Sequence, residues 1–153
     1  DAAIRRTYDY YERITTHDSS LSPCVFSMMA ARIGEPEKAL RYYMHSIHLD
    51  VKNKQQNTND GIHAANMGGI YMGIVFGFAG LRIHADGLSL RPCIPGAIPL
   101  YAFPIQFRGR HIHVRVTHET VTLHTEGPES VNITVFDTLY TITEKTLSIP
   151  MRK

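Results

Sequence analysis

The chain has 153 residues, 43% of them hydrophobic, and a formal charge of +2. That is enough apolar material for one ordinary core or two small ones. Lys and Arg are scattered through both halves, which gives no basic stripe for nucleic acid. The longest apolar-leaning run, Met67 to Leu81, holds five glycines and is too short and interrupted to span a bilayer, so no membrane contact is expected. Cys24 and Cys93 lack C-x-x-C spacing, so reduced thiols and a cytoplasmic setting are the expectation.

The opening D-A-A-I-R-R-T-Y-D-Y-Y-E shows no initiator Met and no cleavage signature, which suggests a chain that begins mid-structure. Ser22-Pro23 places a capping hydroxyl before a proline at the first helical position. Apolar residues then recur through Val25, Phe26, Met28, Met29 and Ile33, predicting a helix over Pro23 to Ile33 closed by Gly34. Pro36 opens a second helix, with Ala39, Leu40, Tyr43, Met44 and Ile47 as its stripe and Glu37 as a first-turn acid. The two read as an αα-hairpin.

Lys52 to Gly61 reads as an ordered loop ending in the Asp60-Gly61 turn. A long helix is predicted from His63 to Arg82, although each interior glycine costs roughly 1 kcal/mol against alanine. Close packing or close ligand approach must offset that cost. After Asp86-Gly87 the period becomes two, through Leu88, Leu90; Leu100, Ala102; Phe103, Ile105, Phe107; Ile112, Val114, Val116; Val121, Leu123; Val131, Ile133, Val135; and Leu139, Tyr140, Ile142. Turns are predicted at Arg108-Gly109-Arg110 and Glu126-Gly127-Pro128. The fold class is therefore α+β, a helical segment (1–84) followed by a small antiparallel sheet or sandwich (85–153), with the boundary near residues 83 to 87.

Two polar blocks precede helix signals: T-T-H-D-S-S-L-S-P from Thr15 to Pro23, and N-T-N-D-G-I-H-A-A-N-M-G-G from Asn57 to Gly69. On composition alone Asp18, Ser19 and Ser20 are caps, and His17 and His63 are hydrogen-bonded structural histidines. The density of donors beside helix N-termini also suits an oxyanion or sugar pocket, although composition alone favours the structural roles. Asp18 and Asp60 are better caps and turns than an acid/base pair. His111, His113 and His124 allow a three-histidine zinc geometry, but no supporting ligand is spaced for it and Arg110 and Arg115 disfavour a cation, so no metal is expected. His45 and His48, and Tyr8, Tyr10, Tyr11, Tyr42 and Tyr43, read as packing or surface residues.

These blocks, together with Tyr10-Tyr11-Glu12, Ile33-Gly34, Leu49-Asp50, Gly77-Phe78-Ala79-Gly80-Leu81-Arg82, Gly87-Leu88-Ser89-Leu90 and Phe107-Arg108-Gly109-Arg110, resemble glycoside hydrolase family 65, which includes maltose, trehalose and kojibiose phosphorylases. The resemblance implies the last helices of an (α/α) barrel followed by the C-terminal β-domain of a larger enzyme. It implies inverting phosphorolysis of an α-glucoside, with inorganic phosphate as co-substrate and no cofactor. By that resemblance His63, Ser19 and Ser20, with Thr16, His17 and Gly69, match the residues around the phosphate.

The general-acid glutamate of the family lies upstream of anything matched here, and Glu12, Glu35 and Glu37 stand in other contexts. No catalytic residue is assigned, and the chain alone is expected to be inactive. A family hydrolase, which needs a second carboxylate as base for water, and a free-standing sugar- or protein-binding module are the alternatives. Part of a helical barrel exposes apolar faces, so association with the missing N-terminal part or with further copies is expected.

Overall fold

The computed structural model describes residues 2–53, 56, 58–126, 130–143 and 146–152. Lys54, Gln55 and Asn57 of the predicted loop and donor block, and Gly127-Pro128 of the predicted turn, lie outside them. The fold is α+β, in two compact units spanning 1–78 and 79–153.

The first unit is helical: α1 Ala2–Ile14, α2 Ser22–Arg32, α3 Pro36–Val51, a 3₁₀ turn Thr58–Asp60, α4 Ala64–Met72, and a π-helical turn Gly73–Phe78. The predicted αα-hairpin is α2 and α3. It is closed by a Schellman motif, in which Gly34 has φ +80, Gly34 N donates to Ala31 O and Glu35 N donates to Ala30 O. Inside the hairpin the buried Ser27 hydroxyl donates to Ala39 O at 2.9 Å.

The glycines of α4 resolve the propensity problem. A Cβ on Gly69 would lie 2.4 Å from Cys24 Sγ, one on Gly73 would lie 2.9 Å from the Tyr43 ring, and one on Gly77 would lie 3.3 Å from Met28 Cα. These residues, four apart, form one face that lies directly on α2 and α3. Cys24 opposes Gly69 and Met28 opposes Gly77, so α2 and α4 run in the same sense with their N-termini at one end. Gly68 lies on another face, where a Cβ would meet nothing within 4 Å.

The predicted helix through Arg82 is shorter than expected. Regular α-helix stops at Met72, and the glycine-interrupted run G-I-V-F-G-F continues as a π-helical turn. Gly80 then takes φ +60, with a Cβ position only 2.6 Å from the Arg91 carbonyl oxygen, and ends the helical path.

The second unit contains two four-stranded sheets. Its strands are β1 Arg82–Ile83, β2 Leu88–Leu90, β3 Leu100–Phe107, β4 Arg110–Thr117, β5 Thr120–Thr125, β6 Val131–Val135, β7 Thr138–Ile142 and β8 Leu147–Pro150. The orders are β1-β2-β6-β7 and β3-β4-β5-β8. All pairs are antiparallel except β2 with β6, a departure from the purely antiparallel expectation.

The core is formed by the predicted alternating residues, among them Leu90, Ile112, Val114, Val116, Val121, Leu123, Ile133 and Val135. On β3 the inward face is Tyr101 and Phe103 while Leu100 and Ala102 point out, and on β7 Leu139 is exposed, three departures from the expected alternation. Pro104 is tolerated because β3 is an edge strand paired only with β4.

Neighbouring glycines of α4 should respond oppositely to the same substitution. Gly68→Ala is expected to raise stability by about 0.5–1 kcal/mol from helix propensity alone. Gly69→Ala is expected to lower it by about 1–3 kcal/mol, because Cys24 must move. Urea midpoints for the two variants test this; a gain for Gly69→Ala would refute close packing as the reason for the glycine.

Candidate functional site

The segment from Thr15 to Leu21 connects α1 to α2 and is held by its own polar side chains. Thr15 Oγ1 donates to Tyr11 O at 2.7 Å, and Thr16 Oγ1 donates to Asp18 Oδ2 at 2.6 Å. His17 turns the chain with φ +59. Its Nδ1 meets Ser22 Oγ at 2.7 Å, its Nε2 meets the Tyr42 hydroxyl at 3.4 Å, and its ring stands edge-on to Phe26 at 4.7 Å between centroids.

Ser22 does not cap α2 as the sequence predicts: Leu21 takes the N-cap position with no side-chain cap, and the Ser22 hydroxyl serves His17. Ser19 Oγ accepts from Leu21 N at 3.3 Å, and Ser20 lies half-buried in the same turn. Both serines therefore sit in the turn that leads into the N-terminus of α2.

His63 is the N-cap of α4, its carbonyl accepting from Asn66 N at 2.8 Å and Met67 N at 3.1 Å. Asp50, in the last turn of α3, holds it at two points. Asp50 Oδ2 accepts from the His63 backbone N at 3.1 Å, and Oδ1 pairs with His63 Nδ1 at 2.5 Å. The hydrogen bond from the imidazole holds the Asp50 carboxyl below the usual range, against a smaller opposing effect of burial. An acid at a helix C-terminus opposes the dipole, and this contact offsets the conflict. One turn further along α4, the fully buried Asn66 donates to Ser46 O at 2.9 Å and ties α4 to α3.

Packing of α4 on α2, rather than sequence proximity, therefore puts the two donor blocks at one end of the helical unit. Gly69 belongs to that packing face, opposite Cys24. Sequence reasoning missed Asp50 as the residue that holds His63; the signal available was an acid in the last turn of a helix, where the dipole disfavours it.

A second polar cluster lies between α1 and α3. Glu12 Oε1 accepts from Tyr8 OH at 3.0 Å and Tyr42 OH at 3.1 Å, and Oε2 accepts from Lys38 Nζ at 3.1 Å. Lys38 also pairs with Glu35 at 2.8 Å, and Arg5 with Glu35 at 2.6 Å. Beside it is a cleft of about 310 Å³ lined by Glu12, Lys38, Arg41, Tyr42 and His45.

Burial raises the pKa of Glu12, but donation from Lys38, Tyr8 and Tyr42 outweighs it and leaves the net value below 4.5. Burial, reinforced by Glu12, raises the Tyr8 and Tyr42 phenols and keeps them protonated as donors. A carboxylate held ionised in this way is unsuited to donating a proton.

In the second unit His113 faces His124 across β4 and β5, with ring centroids 6.2 Å apart, and His111 faces Gln106 on the other neighbour. Among the described residues no group of three or more metal-ligating side chains forms. No helix among the described residues is long and apolar enough to cross a membrane.

The two units follow the order of two domains of one known family. Residues 1–72 match the glycosyl hydrolase family 65 central catalytic domain, and residues 81–142 match the family 65 C-terminal domain. The chain belongs to glycosyl hydrolase family 65. It is 49% identical over 144 residues to an α,α-trehalose phosphorylase of Geobacillus stearothermophilus, covering 94% of this chain and 19% of that protein. It is 36% identical to a maltose phosphorylase of Bacillus subtilis, covering 87% of this chain and 18% of the relative. A solved structure described as a candidate kojibiose phosphorylase from the human microbiome superposes with a TM-score of 0.90 at 32% identity, over 95% of this chain and 21% of that one. The chain thus spans about a fifth of the length of these relatives.

The Glu12 cluster makes a pH prediction. Because the folded Glu12 carboxyl lies below 4.5, its contribution to stability is present above that pH and is lost as pH falls through the folded value. Denaturant unfolding of wild type and Glu12→Gln from about pH 6 to about pH 3 should show the wild-type advantage shrinking toward the acid end. An advantage that grows on acidification would contradict the sign.

Proposed function

We propose that this chain is the C-terminal part of a disaccharide phosphorylase, and that it supplies the wall of the active site that binds inorganic phosphate. The observation that carries the reading is the shared end of α2 and α4. The Ser19-Ser20 turn and the His63 cap stand at N-termini that point the same way, where helix dipoles and backbone N–H groups favour an anion. The names of the relatives, phosphorylases of trehalose and maltose, support the same chemistry.

In this reading Ser19, Ser20 and His63 donate to the phosphate. Thr16 and His17 shape the turn through their bonds to Asp18 and Ser22. Gly69 acts through packing, by letting α4 close on Cys24 of α2.

Phosphate attacks the anomeric carbon of an α-glucoside from one face. A carboxylic acid on the other face protonates the departing sugar oxygen, and that acid belongs to a part of the enzyme upstream of this chain. An inverting hydrolase needs a second carboxylate to activate water; phosphorolysis does not, because phosphate is itself the nucleophile. The reading needs no cofactor and no metal. Two unpaired thiols, Cys24 buried and Cys93 pushed up to about 11 by burial, suit a cytoplasmic setting.

The test uses a full-length protein carrying this chain, assayed on trehalose, maltose and kojibiose with and without phosphate, with glucose and glucose 1-phosphate measured separately. Phosphate-dependent glucose 1-phosphate is expected, with His63→Ala and the Ser19→Ala/Ser20→Ala pair each losing at least about tenfold in kcat/KM for phosphate, the scale of one charge-assisted hydrogen bond. Glucose released at the same rate without phosphate would sink the reading.

Exposed apolar residues of the helical unit, including Leu21, Val25, Met67, Tyr71 and Met72, support association of this chain with further copies or with the rest of the enzyme. Sedimentation of the 153-residue chain should show concentration-dependent association; a strict monomer at high concentration would contradict it.

A further inference from the structure

We propose that Asp50 is a positioning residue for phosphate: by accepting from both the backbone N–H and Nδ1 of His63, it fixes the imidazole so that Nε2 is the nitrogen that meets the anion. The inference deepens the phosphate reading above and rests on it.

Three observations support it. The carboxylate engages two points of a single residue, at 3.1 Å to the backbone and 2.5 Å to the ring. Such a two-point hold ties ring orientation to backbone position, which a single bond does not. Next, His63 is the residue at which α4 begins, so the ring is fixed against the helix start itself and not against a loose segment. Finally, Asp50 stands in the last turn of α3, where the dipole disfavours an acid. The helix end therefore gives no reason of its own for a carboxylate, whereas His63 does.

The chemistry is consistent. Nδ1 donates to the Asp50 carboxylate, so Nε2 is the ring nitrogen that meets the phosphate, donating to one of its oxygens or accepting from its hydroxyl.

The competing account is that Asp50 only closes the connection between α3 and α4. Kinetics of the full-length protein separate the two, with phosphate and disaccharide varied independently for wild type, Asp50→Asn, Asp50→Glu, His63→Ala and the Asp50→Asn/His63→Ala double variant. Asp50→Asn should raise KM for phosphate about tenfold or more, the scale of one charge-assisted hydrogen bond, with KM for disaccharide changed less than about twofold. Asp50→Glu should recover part of the loss, and Asp50→Asn should add nothing once His63 is alanine.

An unchanged phosphate KM in Asp50→Asn, beside a raised one in His63→Ala, would overturn the positioning role and leave the phosphate reading standing. An unchanged phosphate KM in His63→Ala would remove the phosphate reading itself. Equal rises in both KM values, or full additivity in the double variant, would assign Asp50 to structure alone. If the Asp50 variants fail to fold, long-range proton–nitrogen spectra of the wild-type full-length protein decide instead. A proton on His63 Nδ1, retained on addition of inorganic phosphate, is expected; an unprotonated Nδ1 would overturn the proposal.

Discussion

The close approach of α4 to α2 and α3 is the constraint on which the rest of the helical unit depends. Gly69 and Gly73 leave no room for a Cβ against Cys24 and Tyr43, and Gly77 leaves only a tight fit against Met28. Each glycine costs roughly 1 kcal/mol of helix propensity, and the packing that it permits offsets that cost. What the arrangement secures is geometric. Two helices distant in sequence begin at one end, and the C-terminal turn of α3 arrives there with Asp50 in reach of His63. Substituting bulk into that face would therefore disturb the relation between the two donor blocks before it touched any donor.

Around this scaffold the polar groups divide into two sets with different tasks. His17, Tyr42, Tyr8, Glu12 and Lys38 form a chain of hydrogen bonds that joins the α1–α2 turn to α3. Their partners are mutual, which suits a framework. His63 and the Ser19-Ser20 turn lie at helix N-termini, where an anion is favoured, and Asp50 reaches His63 from the C-terminal turn of α3. The β-unit is built differently, on alternating aliphatic residues from two sheets, and the exposed His111 and His113 stay on the outer face of β4.

Much of the local structure is legible in the sequence because its causes are local. Gly34 closing α2 and Arg108-Gly109 turning β3 into β4 both announce a left-handed backbone, and both adopt one. Phe136-Asp137 makes the same kind of turn between β6 and β7 without a glycine, with Asp137 as its one compositional signal. Ser22 looks like a cap, but a nonlocal partner, His17, claims its hydroxyl. The helix expected through Arg82 fails where glycine-rich packing and the Arg91 carbonyl, both tertiary features, take over. The parallel β2–β6 pair joins Leu88–Leu90 to Ile133–Val135, segments far apart in sequence, and is invisible to periodicity. Similarly, the candidate donors Ser19, Ser20 and His63 come from family resemblance, whereas Asp50's hold on His63 emerges only when α3 and α4 are seen side by side.

The central claim is that the two donor blocks serve one anion. Hydrogen exchange of a full-length protein carrying this chain, with and without inorganic phosphate, tests it most directly. The account predicts that peptides covering residues 15–22 and 60–66 gain protection together, with the same phosphate concentration dependence. Protection of only one block, or of neither at saturating phosphate, would contradict it.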